Sequence, residues 1–246
     1  QSLLKSNDYN LVYKKAIEYY NKGDYQRAMN LLDGVRSVFV GQAKAQNIAY
    51  YRAFCSYNMK DYQIASDLFK QFIQTYPESS FAEECLYMMG FCDYKASPKP
   101  RLDQQVTEKA IREFQLYLSR YPYSMRKDKV NTYMDEMRDK LSYKAYLSAK
   151  NYYLREHYKA AVISLQNCLK DYPGSKYREE IMYMLFVSKY QMAVNSVEDK
   201  KVERYNNARE EYYYFADEYP NSRYAADVKK MYEDIEAYLE NYKFED

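Results

Sequence analysis

The chain has 246 residues, room for one or two ordinary domains with a substantial core. Its 37 basic and 35 acidic residues nearly cancel, which removes the net field that draws proteins to nucleic acid, so nucleic acid is not expected as a partner. Thirty-four tyrosines dominate the composition, and five glycines with six prolines are too few for the turns of a many-stranded sandwich or barrel, so the chain reads as all-α.

Residues 1–8 read as an N-terminal tether; because the chain opens on Gln1 rather than Met, it reads as a processed or trimmed product with any export signal or lipid anchor out of view. From residue 9 onward a fixed punctuation recurs. In the first hairpin Tyr25 and Ala28 precede a degenerate close at Val40. In the second, Tyr62 and Ala65 lead to Tyr76-Pro77 and then Ser79. The third has Thr107 in place of the tyrosine, then Ala110, Tyr121-Pro122 and Ser124. Its two helices are separated by eight extra residues in a basic, proline-stiffened loop from Lys95 to Asp103. Fourteen extra residues follow Pro122, close to four helical turns, and no glycine or proline interrupts 126–156, so one long helix is expected there. Tyr158, Ala161, Tyr172-Pro173 and Ser175 complete the fourth hairpin. Tyr205, Ala208, Tyr219-Pro220 and Ser222 complete the fifth, after a ten-residue extension between Tyr190 and Ala208 that is expected to form a second loop. A polar helix over about 224–242 ends the chain. A small residue, a twelve-residue helical stretch and a proline stop describe the second helix of a helical hairpin.

This pattern resembles the tetratricopeptide repeat, a 34-residue helix pair. The resemblance implies a right-handed superhelical solenoid of five such hairpins plus a C-terminal capping helix. The predicted organisation is repeats one to three over 9–124, the long helix with repeats four and five over 125–223, and the cap over 224–246. On the repeat frame, position 8 is small in Ala16, Ala53, Gly90 and Ala149, and Phe186 breaks the rule. Positions 5 and 12 are tyrosine in every repeat: Tyr13, Tyr50, Tyr87, Tyr146 and Tyr183, then Tyr20, Tyr57, Tyr94, Tyr153 and Tyr190. Residues seven apart share a helix face, and in the resembled repeat these positions point to the concave groove, with Ile17, Phe54, Phe91 and Val187 between them. Such a wall suits an extended peptide, since rings stack and hydroxyls bond a backbone. The same ladder equally fits plain packing between stacked repeats, and both readings stand at this point. Apolar residues at position 9 argue against a carboxylate clamp of the cochaperone type.

Catalytic chemistry is not expected. His157, the single histidine, falls in a turn, Cys55, Cys92 and Cys168 sit at packing positions, and no phosphate loop or metal-spaced cluster occurs, so no metal or cofactor is predicted. The stretches Leu102-Asp103-Gln104-Gln105-Val106-Thr107, Tyr121-Pro122-Tyr123-Ser124, Met137-Arg138-Asp139-Lys140-Leu141, Ala149-Lys150-Asn151-Tyr152-Tyr153 and Asp171-Tyr172-Pro173-Gly174-Ser175 resemble the BamD family of outer-membrane assembly lipoproteins. The abundant tyrosine and the Lys99-Pro100-Arg101 loop resemble Bacteroidetes members. The resemblance implies a non-catalytic adaptor at the periplasmic face of the outer membrane, lipid-anchored, working with the periplasmic domains of BamA, the other assembly subunits and unfolded barrel precursors. It implies client contact along Tyr13, Tyr20, Tyr50, Phe54, Tyr57, Tyr87, Phe91 and Tyr94. Partner docking would fall on Tyr183, Tyr190 and a loop around Lys200, Lys201 and Arg204. The alternative is a periplasmic adaptor of another envelope system, such as SusD-like glycan binding, with sugars on the rings.

Overall fold

A computed structural model of the protein describes residues 8–243, and these form eleven α-helices with no strand among the described residues. Consecutive helices pair as hairpins: α1 (Tyr9–Asn21) with α2 (Tyr25–Val35), α3 (Lys44–Asn58) with α4 (Tyr62–Thr75), and α5 (Ala82–Ala96) with α6 (Gln105–Arg120). Then follow α7 (Lys127–Leu154) with α8 (Tyr158–Asp171), α9 (Arg178–Val194) with α10 (Glu198–Glu218), and a last helix α11 (Ala225–Lys243). The five hairpins and the capping helix are those the repeat pattern predicts. Of the predicted tether, residues 1–7 lie outside the described residues; Asp8 is the N-cap of α1, its carboxylate accepting from Leu11 N at 3.0 Å.

The chain divides into two compact units between Met137 and Arg138, inside α7. The first unit buries Val12, Ala28, Leu32 and Ile48 in one cluster and Phe69, Phe72, Phe114 and Tyr117 in another, to which α7 adds Val130, Met134 and Met137. The second unit buries Tyr146, Ala149, Leu165 and Leu185 in one cluster and Phe186, Ala208, Phe215 and Ile235 in another.

Both kinds of turn follow from local chemistry. Where three first helices end, the chain passes through the left-handed region at Gly23 (φ 81°), Lys60 (φ 68°) and Glu156 (φ 59°). Asp24, Asp61 and His157 then start the second helix. At the other end the residue before each proline, Tyr76, Tyr121, Tyr172 or Tyr219, leaves the helical region with φ between −127° and −132°. The serine two residues past the proline then ties the turn back to the start of its own hairpin. Ser79 Oγ donates to Gln46 (2.9 Å), Ser124 Oγ to Glu83 (2.7 Å) and Ser222 Oγ to Glu179 (2.6 Å), while Ser175 Oγ accepts from Ser142 (2.8 Å).

The two insertions behave differently. The first is a loop, and it is pinned: Gln104 Nε2 donates to the carbonyls of Lys99 (2.8 Å) and Leu102 (3.1 Å), and Thr107 Oγ1 donates to Gln104 Oε1 at 2.7 Å. Thr107 replaces the repeat tyrosine because this position is fully buried under the loop, where a small hydroxyl meets Gln104 and Ser97. The second is not a loop. Helix α9 runs to Val194 and α10 starts at Glu198, so the expected loop around Lys200, Lys201 and Arg204 is helix instead. The stretch lacks glycine and proline, and Glu198 and Asp199 place negative charge at the helix N-terminus, which favours an early start.

Position 8 shows why size matters there. A Cβ on Gly90 would sit 2.9 Å from the ring of Phe114, so any side chain there must displace that ring for the hairpin to close. Phe186 is fully buried here, its ring 6.2 Å from that of Tyr212, which in turn stacks on Tyr232 at 4.0 Å and 12°. Among the described residues no helix is long and apolar enough to cross a membrane.

Candidate functional site

The position-5 and position-12 tyrosines lie on the first helices, and their rings occupy the seams to the helix that follows. Tyr13 is half-buried, with Phe39 6.2 Å away, and hydrogen-bonds Asn47 of α3. Tyr20 meets Tyr51 edge-on at 4.9 Å and Tyr25 at 5.5 Å, and burial pushes its hydroxyl up to about 12. Tyr50 packs between Phe54 (4.5 Å) and Phe81 (4.6 Å), and its hydroxyl donates to Glu84 of α5 at 2.8 Å. Burial and that carboxylate together raise its pKa. Phe54 packs edge-on to Phe69 at 5.0 Å.

Further along the same unit, Tyr87 is buried beneath the Arg126 guanidinium, 4.8 Å above its ring, and stacks on Phe91 at 5.6 Å. Phe91 reaches Tyr57 (6.2 Å), Tyr94 (5.9 Å) and Tyr133 (5.4 Å). Tyr94 donates to Glu136 of α7 at 2.5 Å, and that bond pushes its hydroxyl up to about 12. The eight residues predicted for a client groove are thus brought into one connected file of rings with Tyr133, apart from Tyr13, which is tied to Phe39 and Lys44 at its edge. Most hydroxyls are spent on the first helix of the next hairpin. Tyr57 is different: it is half-buried among Phe54, Tyr62 and Phe91, and its hydroxyl has no hydrogen-bond partner in the described structure.

In the second unit the column continues with the same logic. Tyr146 shares Lys150 with Glu180, the ammonium lying 2.9 Å from the hydroxyl and 2.7 Å from the carboxylate. Tyr183 stacks on Tyr224 at 4.0 Å, and Tyr190 donates to Asp234 at 3.1 Å. Tyr183 and Tyr190 therefore sit against α11, whereas Lys200, Lys201 and Arg204 stand on the first turns of α10. Lys200 is exposed, and Lys201 pairs with Glu198 at 2.9 Å. Arg204 is half-buried and donates to neutral acceptors only, Ser196 Oγ at 2.6 Å and the Met192 carbonyl at 3.3 Å. It lies between two clefts of about 300 and 370 Å³ that share Met192, with Lys159, His157, Gln166 and Asn207 around them and one acid, Glu156, in the larger. The five predicted docking residues thus separate into a ring pair under α11 and a basic cleft at the hairpin turns. His157 is exposed at the start of α8. Sequence reasoning found the rings but missed Met192 and Lys159 beside Arg204, because they come from different helices and meet only when α8, α9 and α10 pack.

The family described as YfiO, outer membrane lipoprotein, matches residues 5–180 and again 144–245. No curated protein is matched by the chain. Among solved structures the chain is similar to the TPR2AB domain of yeast Sti1 in its pHSP90 complex, at 14% identity and a TM-score of 0.42 over 93% of this chain and 98% of that one. It is also similar to a TPR-repeat protein of Bacteroides fragilis, at 13% identity and a TM-score of 0.44 over 94% and 99% of the two chains. Since the family spans nearly all the described helices, the protein belongs to the YfiO family of outer membrane lipoproteins, known also as the BamD family.

Proposed function

We propose that the protein is a non-catalytic adaptor of β-barrel assembly at the periplasmic face of the outer membrane, held there by a lipid anchor. In this reading it docks on BamA and captures the C-terminal strands of unfolded barrel precursors. Membership in an outer membrane lipoprotein family supports the location. The observation that carries the client role is the connected file of rings from Tyr20 to Tyr94, half-buried except for the buried Tyr87, in which Tyr57 keeps an unspent hydroxyl for a peptide carbonyl. The observation favouring partner docking in the second unit is Arg204, a guanidinium with no carboxylate partner at the mouth of a basic cleft. An acidic side chain of a partner domain would complete it.

Affinity purification of the tagged protein from detergent-solubilised outer membrane is expected to recover BamA. Arg204→Gln, which keeps a donor for Ser196 and the Met192 carbonyl and removes the charge, is expected to lower that recovery with the protein still folded. Tyr57→Ala and Phe91→Leu are expected to weaken binding of a synthetic C-terminal client strand while BamA recovery persists. Recovery of no barrel-assembly subunit by the unaltered protein contradicts the reading, and full strand affinity in both ring variants removes the groove from it.

A further inference from the structure

The first hairpin closes unlike the others. In place of Tyr-Pro it has Phe39-Val40-Gly41, with Gly41 at φ 77°, Phe39 buried and Val40 left 74% exposed. Behind this turn, between the end of α2, α3 and α4, lies a cavity of about 270 Å³. Its apolar lining comes from Val40, Ile48, Leu68 and Phe72, and its charge from Arg36 and Arg52; no acidic side chain lines it. On α3, Ile48 and Arg52 fall on the side of the helix opposite Tyr50, Phe54 and Tyr57, and Phe72, 6.5 Å from the Tyr50 ring, forms the wall between the cavity and the file of rings.

The two guanidiniums are underused. Arg36 is exposed and has no side-chain partner. Arg52 is largely buried and spends only Nε, which donates to Asp33 Oδ1 at 2.6 Å, leaving the terminal nitrogens of its fork unbonded. Arg52 already pairs with Asp33 through Nε, so what it offers a ligand is the free edge of its fork, beside the unpaired charge of Arg36, and a planar carboxylate matches that geometry. The cavity volume lies just under the range usual for small-ligand sites, enough for one aromatic or short aliphatic group.

We propose that this cavity binds a small apolar carboxylate, with the hydrocarbon on Ile48, Leu68 and Phe72 and the carboxylate between Arg36 and Arg52. The same chemistry is offered by a free acid and by the last residue of a polypeptide, and the two are separable by experiment. The inference does not rest on the client groove.

Isothermal titration calorimetry on the full chain would compare 4-phenylbutyrate with 4-phenylbutyramide, and a short peptide ending in phenylalanine with its C-terminal amide. Saturable binding is expected for a carboxylate probe, weakened about tenfold or more by amidation and by Arg36→Ala. Arg36 makes no contact that folding needs, so the variant is expected to melt as the unaltered protein does. Ala49→Leu, which fills the cavity and leaves both charges, is expected to abolish binding. Binding of the free acid alone assigns a free ligand, and binding of the peptide assigns a chain terminus. Equal affinity for acid and amide, unchanged affinity in Arg36→Ala, or binding of neither carboxylate probe overturns the proposal.

Discussion

Gly90 and Phe114 form a tight small-large pair across a hairpin. Alanine at 90 gains helix propensity of about 1 kcal/mol but pushes its methyl into the Phe114 ring. Overpacking a core by one methyl costs about 1–3 kcal/mol, so Gly90→Ala is expected to lower stability by about 1 kcal/mol net. Urea unfolding would test this, and a variant as stable as the original would show that Phe114 can yield. A few ångströms away the same hairpin buries charge. Asp93 is buried and takes a hydrogen bond from Ser66 Oγ at 2.9 Å and the Lys109 ammonium at 2.9 Å. Glu113 is 3.7 Å from that ammonium, and its Oε2 is buried with no partner. Burial first, then the neighbouring Asp93, push the Glu113 carboxyl up to about 8, against opposing pulls from Lys109 and Lys70 on α4. The folded protein therefore holds a proton that the unfolded chain has released near its ordinary value. This stabilising contribution is complete below the unfolded carboxylate range and fades as pH rises toward and through about 8. The predicted result is a fall in unfolding free energy between about pH 5 and 8 that flattens in Glu113→Gln; an identical slope in the variant would refute the assignment.

Between elements, the turns decide where each hairpin closes. Lys60 and Glu156 occupy the left-handed position that Gly23 fills in the first hairpin. A side chain there costs roughly 1–2 kcal/mol, partly offset because glycine loses more freedom on folding. Lys60→Gly is thus expected to raise stability by about 0.5–1 kcal/mol, readable as a higher melting temperature. Punctuation of this kind is legible in a sequence because it acts within a few residues: the Tyr-Pro stops and small position-8 residues located all five hairpins and the long α7. The reading of Lys200, Lys201 and Arg204 as a loop failed at this same scale. It counted extra residues against the repeat frame, whereas Glu198 and Asp199 before a glycine-free and proline-free run mark a lengthened helix.

For the whole molecule, each unit has its own buried aromatics, Phe114 in the first and Phe215 in the second. In stacked hairpins stability is carried by neighbours rather than by one global core. Phe114→Ala is expected to cost about 3–5 kcal/mol and to speed amide exchange most in α5 and α6, with α9 to α11 keeping their protection. Uniform loss across the chain would argue for a single cooperative core instead. The family resemblance rested on short stretches between Leu102 and Ser175, and the YfiO match extends over both units.

Helix number, hairpin order and the two tyrosine columns were written in the sequence, since spacing along a helix fixes which residues share a face whatever the rest of the chain does. What those faces meet was not. Tyr50 finds Glu84, Tyr94 finds Glu136 and Tyr190 finds Asp234 on the next first helix, 34 to 44 residues away. Arg36 at the end of α2 and Arg52 on α3 come to line one cavity. Such pairings depend on how successive hairpins are laid against each other, and no local spacing encodes that distance.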